Sequence, residues 1–193
     1  MATGVFTIIS RGAGFGACSL WIAVAASAAG AVELRPQPAS IPLTAGPDRF
    51  AAGAARMVGA ILEYTRWPSR RTPLVLCVVG PALHAGRMDR FGLSDGRVIV
   101  RRSVPADAPP AASGCDAIYF ARLDPDRLRR WTRAARGAAI VTIAEDDPGC
   151  RGETMFCLRF TPAALSFDLN IDAVSRSGVR IDPRVLRLAN GED

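Results

Sequence analysis

The chain predicts an α/β fold: a single compact domain with a mainly parallel sheet between helices, a Rossmann-like sandwich held by two disulfides. Three observations lead there. The runs Leu74–Val79 and Ala138–Ala144 are almost wholly apolar, as strands covered on both faces are. The element order from the first of these runs reads strand, helix, strand, strand, helix, strand, which suits a parallel sheet with packed helices. Of five cysteines, one falls in an amino-terminal leader, and the remaining four make an even set.

The leader covers residues 1–31. Arg11 is the only charge before Glu33, an apolar Gly/Ala-rich stretch follows it, and Ala29-Gly30-Ala31 ends the segment. A positive start, an apolar middle and a small-residue site make a secretory signal peptide, cleaved after Ala31 or Ala28, and the chain is therefore expected in the periplasm. Cys18 leaves with it. A proline-rich linker is expected over 32–47, and the α/β domain over 48–193.

Asp48 is read as the N-cap of the opening helix. Ala54, Met57, Val58, Ile61, Leu62 and Thr65 recur at helical spacing, and Pro68 sets the helix end near Arg66. After the strand Leu74–Val79, a short helix is expected over 82–91 and a second strand over 97–102. A proline-rich loop, 104–114, leads to a third strand over Cys115–Phe120. Asp124-Pro125 opens the next helix, with Leu128, Trp131 and Ala135 on one face, and Gly137 closes it. The fourth strand spans 138–144. Beyond an acidic turn, Thr154–Phe160 and Leu165–Asn170 alternate as a hairpin. A short helix ending at Gly178, an extended Val179–Ile181 and a closing helix from Asp182-Pro183 to Ala189 complete the chain.

The chain has 193 residues, enough for one domain with a sizeable core, and is 49% hydrophobic and 22% charged. Its net charge is +6, and all 24 cationic residues are arginine. The arginines are dispersed except on the second helix (Arg127, Arg129, Arg130, Arg133, Arg136), which reads as a solvated face; no nucleic-acid surface is expected. Absence of lysine excludes lysine Schiff-base chemistry.

Three cysteine pairings are open. Proximity favours Cys150–Cys157, leaving Cys77 to pair with Cys115 across two strands if those strands are neighbours. A zinc site is the competing use, but no C-x-x-C is present and His84 is the only histidine. His84 reads as a surface residue of the short helix, and Glu145, Asp146 and Asp147 as a solvated turn without calcium-loop spacing. No constellation of acid, base and nucleophile is visible, so no enzyme, cofactor or metal is expected. Arg66 and Arg180 each border an element end. Brought together, two guanidiniums suit a phosphate, sulfate or carboxylate; the plainer alternative is ion pairing with Glu63 or Asp182.

Tyr64-Thr-Arg-Trp-Pro68, Leu76–Gly80, Cys115–Phe120, the pair Cys150 and Cys157, Phe167-Asp-Leu-Asn170, Gly178-Val-Arg-Ile181 and Val185–Ala189 occur in an order that resembles the YfiR-like family of bacterial periplasmic proteins, over about residues 48–190. The resemblance implies an exported α/β domain, a homodimer, and disulfides Cys77–Cys115 and Cys150–Cys157. It implies a non-enzymatic regulator that binds the periplasmic region of an inner-membrane diguanylate cyclase or other sensor protein, represses it, and is released under reducing conditions, which raises cyclic-di-GMP and biofilm formation. Arg66 and Arg180 match arginines of a polar pocket in the family. Asp182 stands where that pocket can have a histidine, and an acid there is expected to neutralise Arg180. A small-anion sensor is the alternative function.

Overall fold

The computed structural model describes residues 40–69, 71–110 and 114–189. The leader and residues 32–39 of the linker lie outside the described residues. In chain order the strands are β1 (Ser40–Pro42), β2 (Thr65–Arg66), β3 (Leu74–Val79), β4 (Arg90–Gly92), β5 (Val98–Val104), β6 (Ala117–Phe120), β7 (Val141–Ala144), β8 (Phe156–Phe160), β9 (Ala164–Leu169) and β10 (Arg180–Ile181). Eight of them form one sheet in the order β1-β9-β8-β7-β6-β3-β5-β4, while β2 and β10 pair separately. The sheet interior is parallel, with β3 beside β5 and β6, β6 beside β7, and β7 beside β8. Its margins are antiparallel: β8–β9–β1 on one side and β5–β4 on the other. Ser40–Pro42, inside the stretch read as a linker, is thus an edge strand.

Strand side chains alternate between faces, so each strand feeds two cores. Leu74, Leu76 and Val78 of β3 pack with Tyr119, Ile143, Phe156 and the apolar stripe of α1 (Arg49–Glu63), namely Ala54, Met57, Val58, Ile61 and Leu62. Cys77 and Val79 turn the other way, to Ile118, Phe120 and the face of α2 (Pro125–Ala135) that carries Leu128, Trp131 and Ala135. The two apolar runs expected at the centre, β3 and β7, flank β6 there.

Several boundaries differ from expectation. The opening helix ends at Glu63, not Arg66, because tertiary donors take its last carbonyls. The Arg97 guanidinium donates to Leu62 O at 3.1 Å and to Glu63 O and Thr65 O at 3.4 Å, a cation at the negative end of the helix. Thr65 and Arg66 are freed to pair with β10. Asp48 occupies the N-cap position but its carboxylate makes no cap bond; it pairs with Arg87 at 2.9 Å. Asp124 does cap α2, accepting from Arg127 N at 2.9 Å ahead of Pro125.

The short helix expected over 82–91 is absent. Leu83 and His84 give their N–H groups to the Glu145 carboxylate, and the chain continues through turns into β4. The fourth strand begins at Val141 rather than Ala138, and the closing segment Pro183–Ala189 is a 3-10 helix.

Gly178 is a point of close approach. Its N–H donates to Ala138 O at 2.9 Å, and a Cβ on it would sit 2.9 Å from Ala139 N and 3.0 Å from Ala138 C. Those are backbone atoms and yield poorly, so Gly178→Ala is expected to destabilise the domain by about 1–3 kcal/mol in urea unfolding.

Candidate functional site

The β2–β10 ladder decides what Arg66 and Arg180 can do. The two residues are directly opposite one another in antiparallel register, and both are exposed. Opposed residues of a ladder project from the same face, and like charges so placed repel unless something offsets them. Among the described residues the Arg66 guanidinium reaches only carbonyls, Glu63 O at 2.7 Å and Thr65 O at 3.3 Å. The Arg180 guanidinium has no hydrogen bond or ion pair among the described residues.

Neither acid expected to neutralise this pair does so. Glu63 accepts Ser94 N at 2.7 Å. Asp182 turns from Arg180 to Arg184, which it holds in a fork, Nη2 at 2.7 Å and Nε at 3.1 Å from its oxygens. The reason is local. Asp182 N is committed to Tyr64 O, and the start of the 3-10 helix brings Arg184 N and its side chain back onto the carboxylate. The Arg184 side chain, then the Arg184 N–H, and more distantly the Arg66 charge lower the Asp182 pKa to about 2. A carboxyl titration followed by NMR in the folded chain is expected to show Asp182 ionising near that value. Its contribution to stability is present above the ordinary carboxylate pKa and is lost as pH falls through about 2.

Next to Arg66 lies an open cleft of about 540 Å³, walled by Trp67, Arg71, Asp95 and Arg97. Trp67 is tethered by its indole N–H to Asp116 O at 3.0 Å, and the Arg97 guanidinium lies 5.3 Å from its ring centroid. Asp95 is the only carboxylate in the lining among the described residues and is bound by Arg97 at 2.6 Å. Burial opposes its ionisation, but the Arg97 N–H, the Arg97 guanidinium and the Arg66 charge outweigh that and hold its pKa below the ordinary value. The corner is cationic on balance and suits an anion.

The four cysteines form two bridges, Cys77–Cys115 and Cys150–Cys157. The first joins β3 to the segment entering β6, with Cα atoms 5.7 Å apart and Arg102 Nη2 at 3.1 Å from both sulfurs. The second closes a turn that has its own brace. The buried Asp147 carboxylate accepts Gly152 N at 2.9 Å and the Thr154 hydroxyl at 3.0 Å.

The acidic turn is therefore not solvated, as its charge density suggests. Glu145 is 5% and Asp147 7% exposed, and only Asp146 reaches outward, to Arg122. His84 is half-buried, packed at a tilt against Phe160 with ring centroids 4.2 Å apart, rather than a surface helix residue. The α2 arginines do lie outward, several in ion pairs such as Arg129–Asp126 and Arg136–Glu153. The roles of Arg97 and Arg102 left no sequence signal, because they act on backbone carbonyls or on sulfurs remote in sequence, whereas Asp147 was named in the acidic turn but read as solvated rather than as a buried clamp. Glu145 left a further trace, an acid directly after an apolar strand. A protein-family model described as YfiR/HmsC-like matches residues 52–190.

Proposed function

From its membership of the YfiR/HmsC-like family, to which this chain belongs, we propose that the protein is an exported, periplasmic regulator. It binds the periplasmic region of an inner-membrane diguanylate cyclase, as a homodimer, and represses it, lowering cyclic-di-GMP and biofilm formation. The family match over residues 52–190 carries this reading. The leader of residues 1–31 supports export, and the exposed Leu83, Ile171 and Leu186 offer apolar side chains to a partner. The test is a pull-down with the periplasmic region of the membrane protein encoded beside this chain. Capture supports the reading, and no capture by either the oxidised or the reduced chain sinks it. Redox gating through Cys150–Cys157 is a separable part of the proposal. Cys150→Ser is expected to weaken capture, and unchanged capture removes the gate while leaving the regulator.

A second reading has its own observation. Arg66 and Arg180 are in register with no carboxylate bound to either among the described residues, which favours a small-anion sensor. A thermal shift with phosphate, nucleotides and carboxylates is expected to respond, and Arg180→Ala to abolish the response.

A further inference from the structure

A second cleft, also about 540 Å³, shares no lining residue with the Arg66 corner. It is built by segments leaving the carboxyl ends of three parallel strands: Leu83 and His84 after β3, Arg122 after β6, and the stretch from Glu145 after β7. Open α/β sheets bind ligands in crevices outside the carboxyl ends of strands, where successive connections part to opposite sides. They part here at β3, whose neighbours are β5 on one side and β6 on the other. The volume falls within the range of small-molecule sites, ~300–1,000 Å³.

One wall is aromatic. His84 packs on Phe160 with the ring planes tilted by 38°, and Phe50 closes the group at 5.5 Å and 6.0 Å from their ring centroids. The backbone bearing His84 is anchored to Glu145, which in turn accepts the Tyr119 hydroxyl at 2.9 Å, so the wall is held in place without a ligand. The remaining lining reverses the sign of the chain as a whole. Glu145, Asp146, Asp147 and Asp168 face it against only Arg122 and Arg159, in a protein of net charge +6. Glu145 and Asp147 are occupied by N–H and hydroxyl donors. Asp146 and Asp168 have side chains 37% exposed and are held by Arg122 at 2.5 Å and Arg159 at 3.6 Å. Exposed pairs of this kind contribute little and exchange readily for a better-placed cation.

We propose that this cleft binds a small planar cation, a guanidinium or amidinium, stacked on the His84–Phe160 wall and bonded to Asp146 and Asp168. Planar cations are attracted to aromatic rings, and their forked N–H groups match carboxylates. An anion entering here meets the part-exposed Asp146 and Asp168 with the buried Glu145 and Asp147 behind them, and a neutral apolar ligand covers the first two without replacing their water. The site is independent of the regulatory reading and of the Arg66 corner.

The test is a titration of the purified chain with benzamidine, followed by amide NMR, with benzoate as the isosteric anion and putrescine as a non-planar cation. Saturable shifts centred on Leu83, His84 and Asp146 are expected with benzamidine up to ~10 mM, and weaker or no shifts with the other two. Asp168→Asn and Asp146→Asn are each expected to weaken benzamidine roughly fivefold to tenfold, while Arg66→Ala leaves it unchanged. The proposal is overturned by an absence of localised shifts, by equal binding of benzoate or putrescine, or by a response that follows Arg66→Ala instead of the two aspartates.

Discussion

Replacing Cys77 and Cys115 together by alanine is expected to cost about 4 kcal/mol of stability, by loop closure over their sequence separation of 38. The bridge ties β3 to the entrance of β6, two of the strands on which both cores depend, and its cysteines are 0% and 6% exposed. Removing it leaves the native sheet its hydrogen bonds but releases a long loop in the unfolded chain. The Arg102 guanidinium that rests on both sulfurs also loses its contact. For the Cys150–Cys157 bridge, with a separation of 7, the same relation gives about 2.4 kcal/mol. Asp147 still clamps Gly152 and Thr154 when that bridge is gone, so the turn is expected to stay folded. Urea unfolding of the two double variants checks the order. A larger loss from the short bridge contradicts the loop-closure account.

Glu145→Ala is expected to destabilise by about 3 kcal/mol, because one buried carboxylate answers three donors: Leu83 N at 2.9 Å, His84 N at 3.2 Å and Tyr119 Oη at 2.9 Å. Bonds to a charged acceptor are the stronger kind, and the Tyr119 hydroxyl left behind is fully buried. The same contact predicts a pH effect. Burial first, then the Glu145 charge and its hydrogen bond, raise the Tyr119 pKa well above its usual value. A phenol so raised stabilises the fold fully below its unfolded pKa, near 10, and this contribution is lost as pH rises further. Alkaline unfolding is therefore expected to coincide with the tyrosinate absorbance that Tyr119→Phe removes. Glu145→Gln is expected to flatten the alkaline loss by removing the charge while burial remains. Tyrosinate appearing well before unfolding contradicts this account.

Much of the fold was legible because it rests on local signals. The stripe from Ala54 to Leu62 has one period and one face, and the structure buries that face on the sheet. Asp124-Pro125 carries a start signal that the structure uses as a cap, with Asp124 accepting Arg127 N. The hairpin of β8 and β9 follows from two alternating runs around Thr161, whose N–H pairs with Ala164 O. Segments whose backbone is claimed from afar were not legible. Residues 82–91 read as a short helix, but the chain runs there through turns, with the N–H groups of Leu83 and His84 held by Glu145, some sixty positions away. The helix α1 ends three residues before Arg66 because Arg97, in the turn before β5, donates to its last carbonyls.

The candidate site divides in the same way. Residue types and element ends singled out Arg66 and Arg180, and the family resemblance matched both to arginines of its pocket, since an arginine at a corner is visible in one dimension. That they stand opposite one another is a matter of the β2–β10 register. That Asp182 serves Arg184 is a matter of the 3-10 turn that brings the two together. The second cleft was invisible, because His84, Phe160, Asp146 and Asp168 converge only where strands end side by side. By itself the sequence determined the class of fold, the two faces of the helices, the even set of cysteines and the family. Periodicity, composition and spacing are local, and they survive without a third dimension. Only the tertiary structure decided which charges are neutralised, which backbone donors are taken and where clefts open. Those depend on distances between residues far apart in the chain, and electrostatic and hydrogen-bonding partners are chosen by distance.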